Sequence, residues 1–372
     1  MTTVLLSGVG VLGGWALEFL ARSPAVDRIV TVERRPWPGP SRPALAMLGA
    51  VFQGHAKQFE HYQADLAETE EMAGLLSRIR PDVVLHSATL QSPRRLMNAN
   101  LDPAMRNVLR AATFGMWLPW HLLPATWLFE AIEASEIETN VVNVSFPDVV
   151  NPALRARFGH GPVAGAGNVE VLVAQIVRYL IDVTGADLGG IEVSLVGSHA
   201  LLGYGPAAGV PHHLRVVVDG RDVTEELDLA TMLSHPEPME WSKVDVFSLF
   251  AASAAKNAVA LLGADETRTH VSGANGLPGG YPVRVCDGSI ELDLPPDISA
   301  DEAVAINEAA ARWDGIERID SDGSVVYTES AAAAMAELGY RTEGVVFEDL
   351  TGQAQRLNDL YKQLTTQEGN NA

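Results

Sequence analysis

The chain has 372 residues, 47% of them hydrophobic, with 47 acidic against 26 basic side chains and a formal net charge of −21. A surface this acidic repels phosphate backbones and argues against nucleic-acid binding, and a single cysteine excludes an intrachain disulfide and a cysteine metal cluster. No apolar run reaches the length of a membrane span, and the N-terminus opens directly on a strand with no room for a signal peptide, so a soluble cytoplasmic protein is expected.

Val4-Leu5-Leu6 predicts a first strand, and Gly8-Val9-Gly10-Val11-Leu12-Gly13 follows it at once. Trp15, Ala16, Leu17, Phe19 and Leu20 continue with helical spacing, and Arg28 to Val32 predicts a second strand ending in Glu33. Strand, glycine turn, helix, strand and carboxylate in that order predict a dinucleotide site. Gly8 makes the tight turn, and Gly10 lets backbone approach a pyrophosphate. Gly13 allows close packing of helix on strand, and Val11 and Leu12 begin a helix whose N-terminus favours anions. Glu33 can accept both hydroxyls of an adenine ribose, which favours NAD. Arg34 and Arg35 beside it keep NADP as the alternative, because an arginine there can accept a 2′-phosphate. No lysine follows a glycine, so a P-loop is absent.

The segment 34–40 is a proline-rich turn. A helix is expected over 43–57, a strand over 61–66, a helix over 68–80 and a strand over 82–86. Ser87 and Ala88, at the end of that strand, are expected beside the cofactor. Residues 101–135 are helical with proline interruptions, and 139–145 form another strand. This alternation predicts an α/β fold with a doubly wound parallel sheet and a nucleotide domain over 1–150. Residues 151–364 then form a mixed α+β catalytic domain. It contains a glycine-rich entry at 161–167, helices over 168–184 and 242–263, and strands over 191–196, 214–219, 269–272, 283–286 and 289–292. A helix capped by Ser299 runs to 314, further helices cover 329–338 and 351–364, and 365–372 is a frayed tail.

Several residues invite a chemical role that the pattern does not require. Cys286 is expected to be a buried strand residue. His212 and His213 are adjacent, and an extended pair cannot face one metal. Lys256, in an apolar helix, is expected to snorkel to solvent. The loop 275–280 is either a cover over substrate or a plain connection. Trp117, Trp120 and Trp127 are expected to pack against the core or a partner subunit.

The order of elements after residue 150 resembles the lactate/malate dehydrogenase superfamily. Ser145-Phe146-Pro147 is similar to its Ser-Asn-Pro, Gly165 to Glu170 to its helix start, and Gly197-Ser198-His199 to its histidine turn. Ala254-Ala255-Lys256 to Pro282-Val283, and then Gly288 to Leu292, resemble its later helix and hairpin. The resemblance implies hydride transfer between nicotinamide and a carbon bearing OH or C=O, in a small polar, possibly anionic metabolite. It also implies that His199 exchanges the hydroxyl proton, Glu170 orients it, and Arg94 or Arg95 supplies a mobile-loop arginine. Where the family grips a substrate carboxylate with arginine this chain has Val173, and Phe146 replaces the asparagine. The loss of the arginine at Val173 puts an ordinary 2-hydroxy acid in doubt, but not hydride transfer, which the cofactor carries. A homodimer or homotetramer is expected, because an apolar helix over 119–132 needs cover and such enzymes associate through helices flanking the nucleotide domain. Residues 65–88 also resemble saccharopine dehydrogenase-like enzymes, which leaves imine reduction, or a dinucleotide sensor without turnover, as alternatives. Short-chain catalysis lacks its Tyr-x-x-x-Lys.

Overall fold

The computed structural model describes residues 1–37, 39–93, 96, 101–235 and 245–368, with side chains to 365. Six parallel strands form the main sheet: β1 (Thr3–Ser7), β2 (Arg28–Glu33), β3 (Gln58–Gln63), β4 (Val83–His86), β5 (Asn140–Asn143) and β6 (Ala164–Gly165). Their order is β3-β2-β1-β4-β5-β6, the doubly wound arrangement in which the chain reverses direction between β1 and β4. Leu5 pairs with Val30 on one side and Val84 on the other. Alternation along β1 sends Leu5 into one core and Val4 and Leu6 into the other.

The first core lies under α3 (Thr69–Ile79) and α5 (Leu118–Ser135); the second lies under α1 (Val11–Arg22) and α2 (Ser41–Phe52). Between α3 and α5 runs α4 (Pro103–Ala111), with its Asp102 cap. The remaining helices are α6 (Pro147–Phe158), α7 (Val169–Thr184), α8 (His199–Tyr204), α9 (Leu229–Leu233), α10 (Phe247–Leu262), α11 (Ala300–Ala311), α12 (Glu329–Glu337) and α13 (Leu350–Glu368). Among the described residues, three small antiparallel sheets complete the fold. They are β7 (Ile191–Val196) with β8 (His213–Val218) and β9 (Arg221–Asp222), β10 (Thr267–Ser272) with β11 (Gly280–Cys286) and β12 (Ser289–Leu292), and β13 (Ile316–Ile319) with β14 (Val325–Tyr327) and β15 (Gly344–Val345).

The predicted α/β class and parallel sheet are present, and the differences have local causes. β3 starts three residues earlier than expected, because it is a half-exposed edge strand with no apolar run to mark it. β6 is two residues long, and the last small sheet is built from strands of four, three and two residues, too short for a periodic signal. A boundary at 150 falls inside α6, and the main sheet does not end until Gly165.

The apolar helix α5 finds its cover within its own chain. Trp120 is fully buried and meets Tyr361 of α13 edge to face, ring centroids 5.4 Å apart. Leu357, Leu360 and Leu364 are buried beside it, so the segment expected to fray from 365 instead continues as helix to Glu368. Cys286 is exposed, not buried, because it ends β11 at the Asp287-Gly288 turn. Among the described residues no helix is long and apolar enough to cross a membrane.

Candidate active site

A cavity of about 960 Å³ opens at the carboxyl ends of β1 and β4, where the strand order reverses. Ligands of such sheets sit at that crevice. The glycine turn forms its floor. Gly8 adopts φ +89°, and a Cβ there would lie 3.0 Å from the Ala88 backbone. A Cβ on Gly13 would lie 2.0 Å from the Gly8 carbonyl and 2.6 Å from Ser87 Oγ, which donates to that carbonyl at 2.8 Å. Gly10 faces open space and caps α1 with no side-chain bond, so the first amides of the helix remain available to a ligand. Val11 and Leu12 line the cavity beside them.

Glu33 ends β2 at the far side and is 7% exposed. It accepts the Val9 amide at 3.2 Å, the Arg35 amide at 3.2 Å and Arg35 Nε at 3.0 Å. Burial pushes its pKa up, but the bonds and charge of Arg35, with the Val9 amide, outweigh burial and hold it below the usual value. Arg34 lines the cavity as expected; Arg35, the residue that engages Glu33, lines it too.

His199 begins α8 and lines the same cavity. Its Nδ1 lies 2.9 and 3.0 Å from the two carboxylate oxygens of Asp314, and its amide donates to Asp148 Oδ2 at 2.6 Å. Burial lowers the imidazole pKa, but the charge and hydrogen bond of Asp314, joined by the charge of Asp148, raise it above the ordinary value. With Nδ1–H donating to Asp314, Nε2 carries the lone pair, and no described residue bonds to it. Asp148 sits in the first turn of α6 and also accepts Asn168 Nδ2 at 2.6 Å; burial pushes its pKa up. Phe146 and Asn168, both lining the cavity, hold left-handed φ of 50° and 45°, strain of the kind found at functional sites.

All nine residues expected at the cofactor, Gly8, Gly10, Val11, Leu12, Gly13, Glu33, Arg34, Ser87 and Ala88, line this one cavity together with His199. Glu170 is not with them. Its carboxylate takes Lys256 as ion-pair partner, Ser253 as donor and Asn257 Nδ2 at 3.1 Å, so the carboxylate that meets the His199 ring is that of Asp314 and not that of Glu170. α10 supplies all three partners and holds the carboxylate against itself, away from the imidazole. Arg94 and Arg95 lie outside the described residues. Asp314 was invisible in the sequence, since it lies 115 residues from His199 in a three-residue turn with no motif. Asp148 carried a signal, following Ser-Phe-Pro directly. Of the other candidates, Lys256 is occupied by Glu170, His213 Nε2 meets Asp297 at 3.0 Å, and His212 Nδ1 meets the Val210 carbonyl. The loop 275–280 does not line the cavity and packs against Ile290 and Asn307.

No family model matches the chain, and no curated protein is significantly similar to it. Among solved structures it is similar to a lactate dehydrogenase from a Medee basin deep-sea metagenome library, at 12% identity and a TM-score of 0.57, over 84% of this chain and 96% of that one. It is similar to the lactate dehydrogenase of Cryptosporidium parvum, complexed with lactic acid and nicotinamide adenine dinucleotide, at 15% identity and 0.54, over 84% and 96%. The malate dehydrogenase of Plasmodium falciparum in complex with NADH is similar at 11% and 0.53, over 90% and 99%. At these identities the likeness is one of architecture: the chain has the lactate and malate dehydrogenase fold.

Proposed function

We propose that this protein is an NAD-dependent dehydrogenase that interconverts a C–OH and a C=O carbon, with His199 as acid/base and Asp314 as the residue that orients it. The observation that carries this reading is that one cavity unites His199, paired behind with Asp314, with a glycine turn and an acidic strand end. The residues fit the cofactor. Open space above Gly10, the uncapped start of α1 and the buried Glu33 suit a pyrophosphate and a ribose diol. Glu33 would repel a 2′-phosphate, and Arg35 is spent on Glu33, so NAD is favoured over NADP.

The nicotinamide, when bound, takes or gives the hydride. His199 Nε2 takes the hydroxyl proton in oxidation and returns it in reduction, while Nδ1 stays bonded to Asp314. Asp314 fixes the tautomer and stabilises the imidazolium; Asp148 holds the start of α8 through the His199 amide.

The test is His199→Ala. Turnover should fall about 10²–10⁴-fold, the usual contribution of a positioned acid/base. Affinity for NADH, titrated by fluorescence, should hold, and NADPH should bind more weakly. Near-normal turnover in the variant would remove His199 from the reaction.

A further inference from the structure

Glu33, at the end of β2, suits the adenosine ribose of the proposed cofactor, and the glycine turn after β1 suits its pyrophosphate. From β2 and β1 the sheet continues through β4 to β5, so the nicotinamide half would lie over the ends of those two strands. Ser145, just past β5, and His121, on α5 between β4 and β5, stand on the cavity wall there. His121 is 8% exposed, and its Nδ1 lies 2.8 Å from Ser145 Oγ. Asn143 fixes Ser145 in turn: its Oδ1 accepts the Ser145 amide at 2.9 Å, and its Nδ2 donates to the Ser145 carbonyl at 3.2 Å. The rings of Phe114 and Phe146 flank the imidazole at 5.6 and 6.1 Å, centroid to centroid.

His121 Nε2 is buried and has no hydrogen-bond partner among the described residues. A buried polar atom is costly to leave unsatisfied, and one on the wall of a cavity is explained by a ligand that completes it. Burial drives the pKa of the ring down to about 3, so it stays neutral and does not repel the positive ring of an oxidised nicotinamide. The hydrogen bond to Ser145 can run either way. If Ser145 Oγ donates to Nδ1, Nε2 carries a hydrogen and needs a carbonyl; if Nδ1 donates, Nε2 needs an N–H. A carboxamide offers both groups and carries no charge. We propose that His121, fixed by Ser145, binds the carboxamide of the nicotinamide and positions that ring in the cavity. This role rests on the dinucleotide reading above and extends it to the half of the cofactor that the glycine turn does not touch.

NADH and ADP-ribose, which lacks the nicotinamide, are each titrated calorimetrically into the wild-type protein, His121→Phe and Ser145→Ala. His121→Phe keeps a flat ring and removes both nitrogens. It should weaken NADH about tenfold, the loss of one buried hydrogen bond, and leave ADP-ribose unchanged, which also shows that the variant is folded. Ser145→Ala should shift the balance between the two ligands in the same direction, and it carries the comparison if His121→Phe does not fold. Equal weakening of NADH and ADP-ribose would make His121 a plain core residue and overturn the proposal. NADH affinity unchanged in both variants, or wild-type protein that binds NADH no tighter than ADP-ribose, overturns it as well. Wild-type protein that binds neither ligand sinks the dinucleotide reading, and the role of His121 with it.

Discussion

His199 stands between two carboxylates, one 51 residues before it and one 115 after it, and their charges shift the pH at which it holds a proton. Because they raise its pKa, the proposed reaction should show ketone reduction, which needs the imidazolium, persisting to a higher pH than a free histidine would allow. Alcohol oxidation, which needs the neutral ring, should begin correspondingly later as pH rises. Asp314→Asn removes the charge in contact with Nδ1 and should move both limbs to lower pH by about one unit or more, the usual effect of a charge at this distance. It should also lower kcat, since the ring loses its fixed orientation. Glu170→Gln should leave the limbs where they are, because that carboxylate is engaged by Lys256, Ser253 and Asn257. Profiles of kcat/KM against pH for both variants decide the assignment. A limb moved by Glu170→Gln and unmoved by Asp314→Asn would return the orienting role to Glu170.

Each element of the glycine turn is positioned by contacts to its neighbours. α1 approaches β1 so closely that the Gly8 carbonyl and Ser87 Oγ occupy the space a side chain at residue 13 would need. Gly13→Ala should therefore push α1 away from the strand ends, at a cost of about 1–3 kcal/mol for overpacking a tight site. Both the melting temperature and the affinity for NADH should fall. Gly10→Ala, with open space around its Cβ, should spare the fold and weaken only the cofactor. Thermal melts paired with NADH titrations separate the two, and an unchanged melting temperature in Gly13→Ala would refute the packing argument. The same pair shows what was legible. The turn, α1, β2 and Glu33 were readable because strand, turn and helix signals are local. Asp314 was not, since three residues of turn carry no period and its partner arrives from α8.

At the scale of the whole molecule, three buried histidines make the fold sensitive to acid. Burial drives the pKa of His86 down to about 4 and those of His121 and His270 to about 3, the latter two with help from neighbouring positive charge. Folded, they stay neutral; unfolded, each takes a proton below about pH 6.5. Their contribution is thus complete above pH 6.5 and is lost as pH falls towards 4, by about 1.4 kcal/mol per unit for each histidine and up to about 4 for the three. His199 works in the other direction: its stabilisation is full below pH 6.5 and is lost as pH rises through its raised pKa. Since total stability is about 5–15 kcal/mol, urea midpoints should drop steeply between pH 6.5 and 5. A flat or rising midpoint over that range would contradict the burial of these rings. The two cores also revise the expectation of a partner, because α13 covers the apolar α5 within the same chain, and that helix no longer argues for a second subunit.

By itself the sequence determined the α/β class, the parallel alternation, and the glycine turn, Glu33 and His199 that line one cavity. These follow from hydrophobic period, turn chemistry and motif spacing, all written within a few tens of residues. Only the tertiary structure decided which carboxylate meets His199, because Asp314 and Glu170 differ in what α8 and α10 bring beside them. It likewise decided that the last helix closes the first core, that Cys286 faces outward, and that Phe114 and Phe146 pack beside His199 while two carboxylates hold it. Long-range packing sets these outcomes, joining Phe114, Phe146, Asp148, His199 and Asp314 around one imidazole although the chain separates them by up to 200 residues.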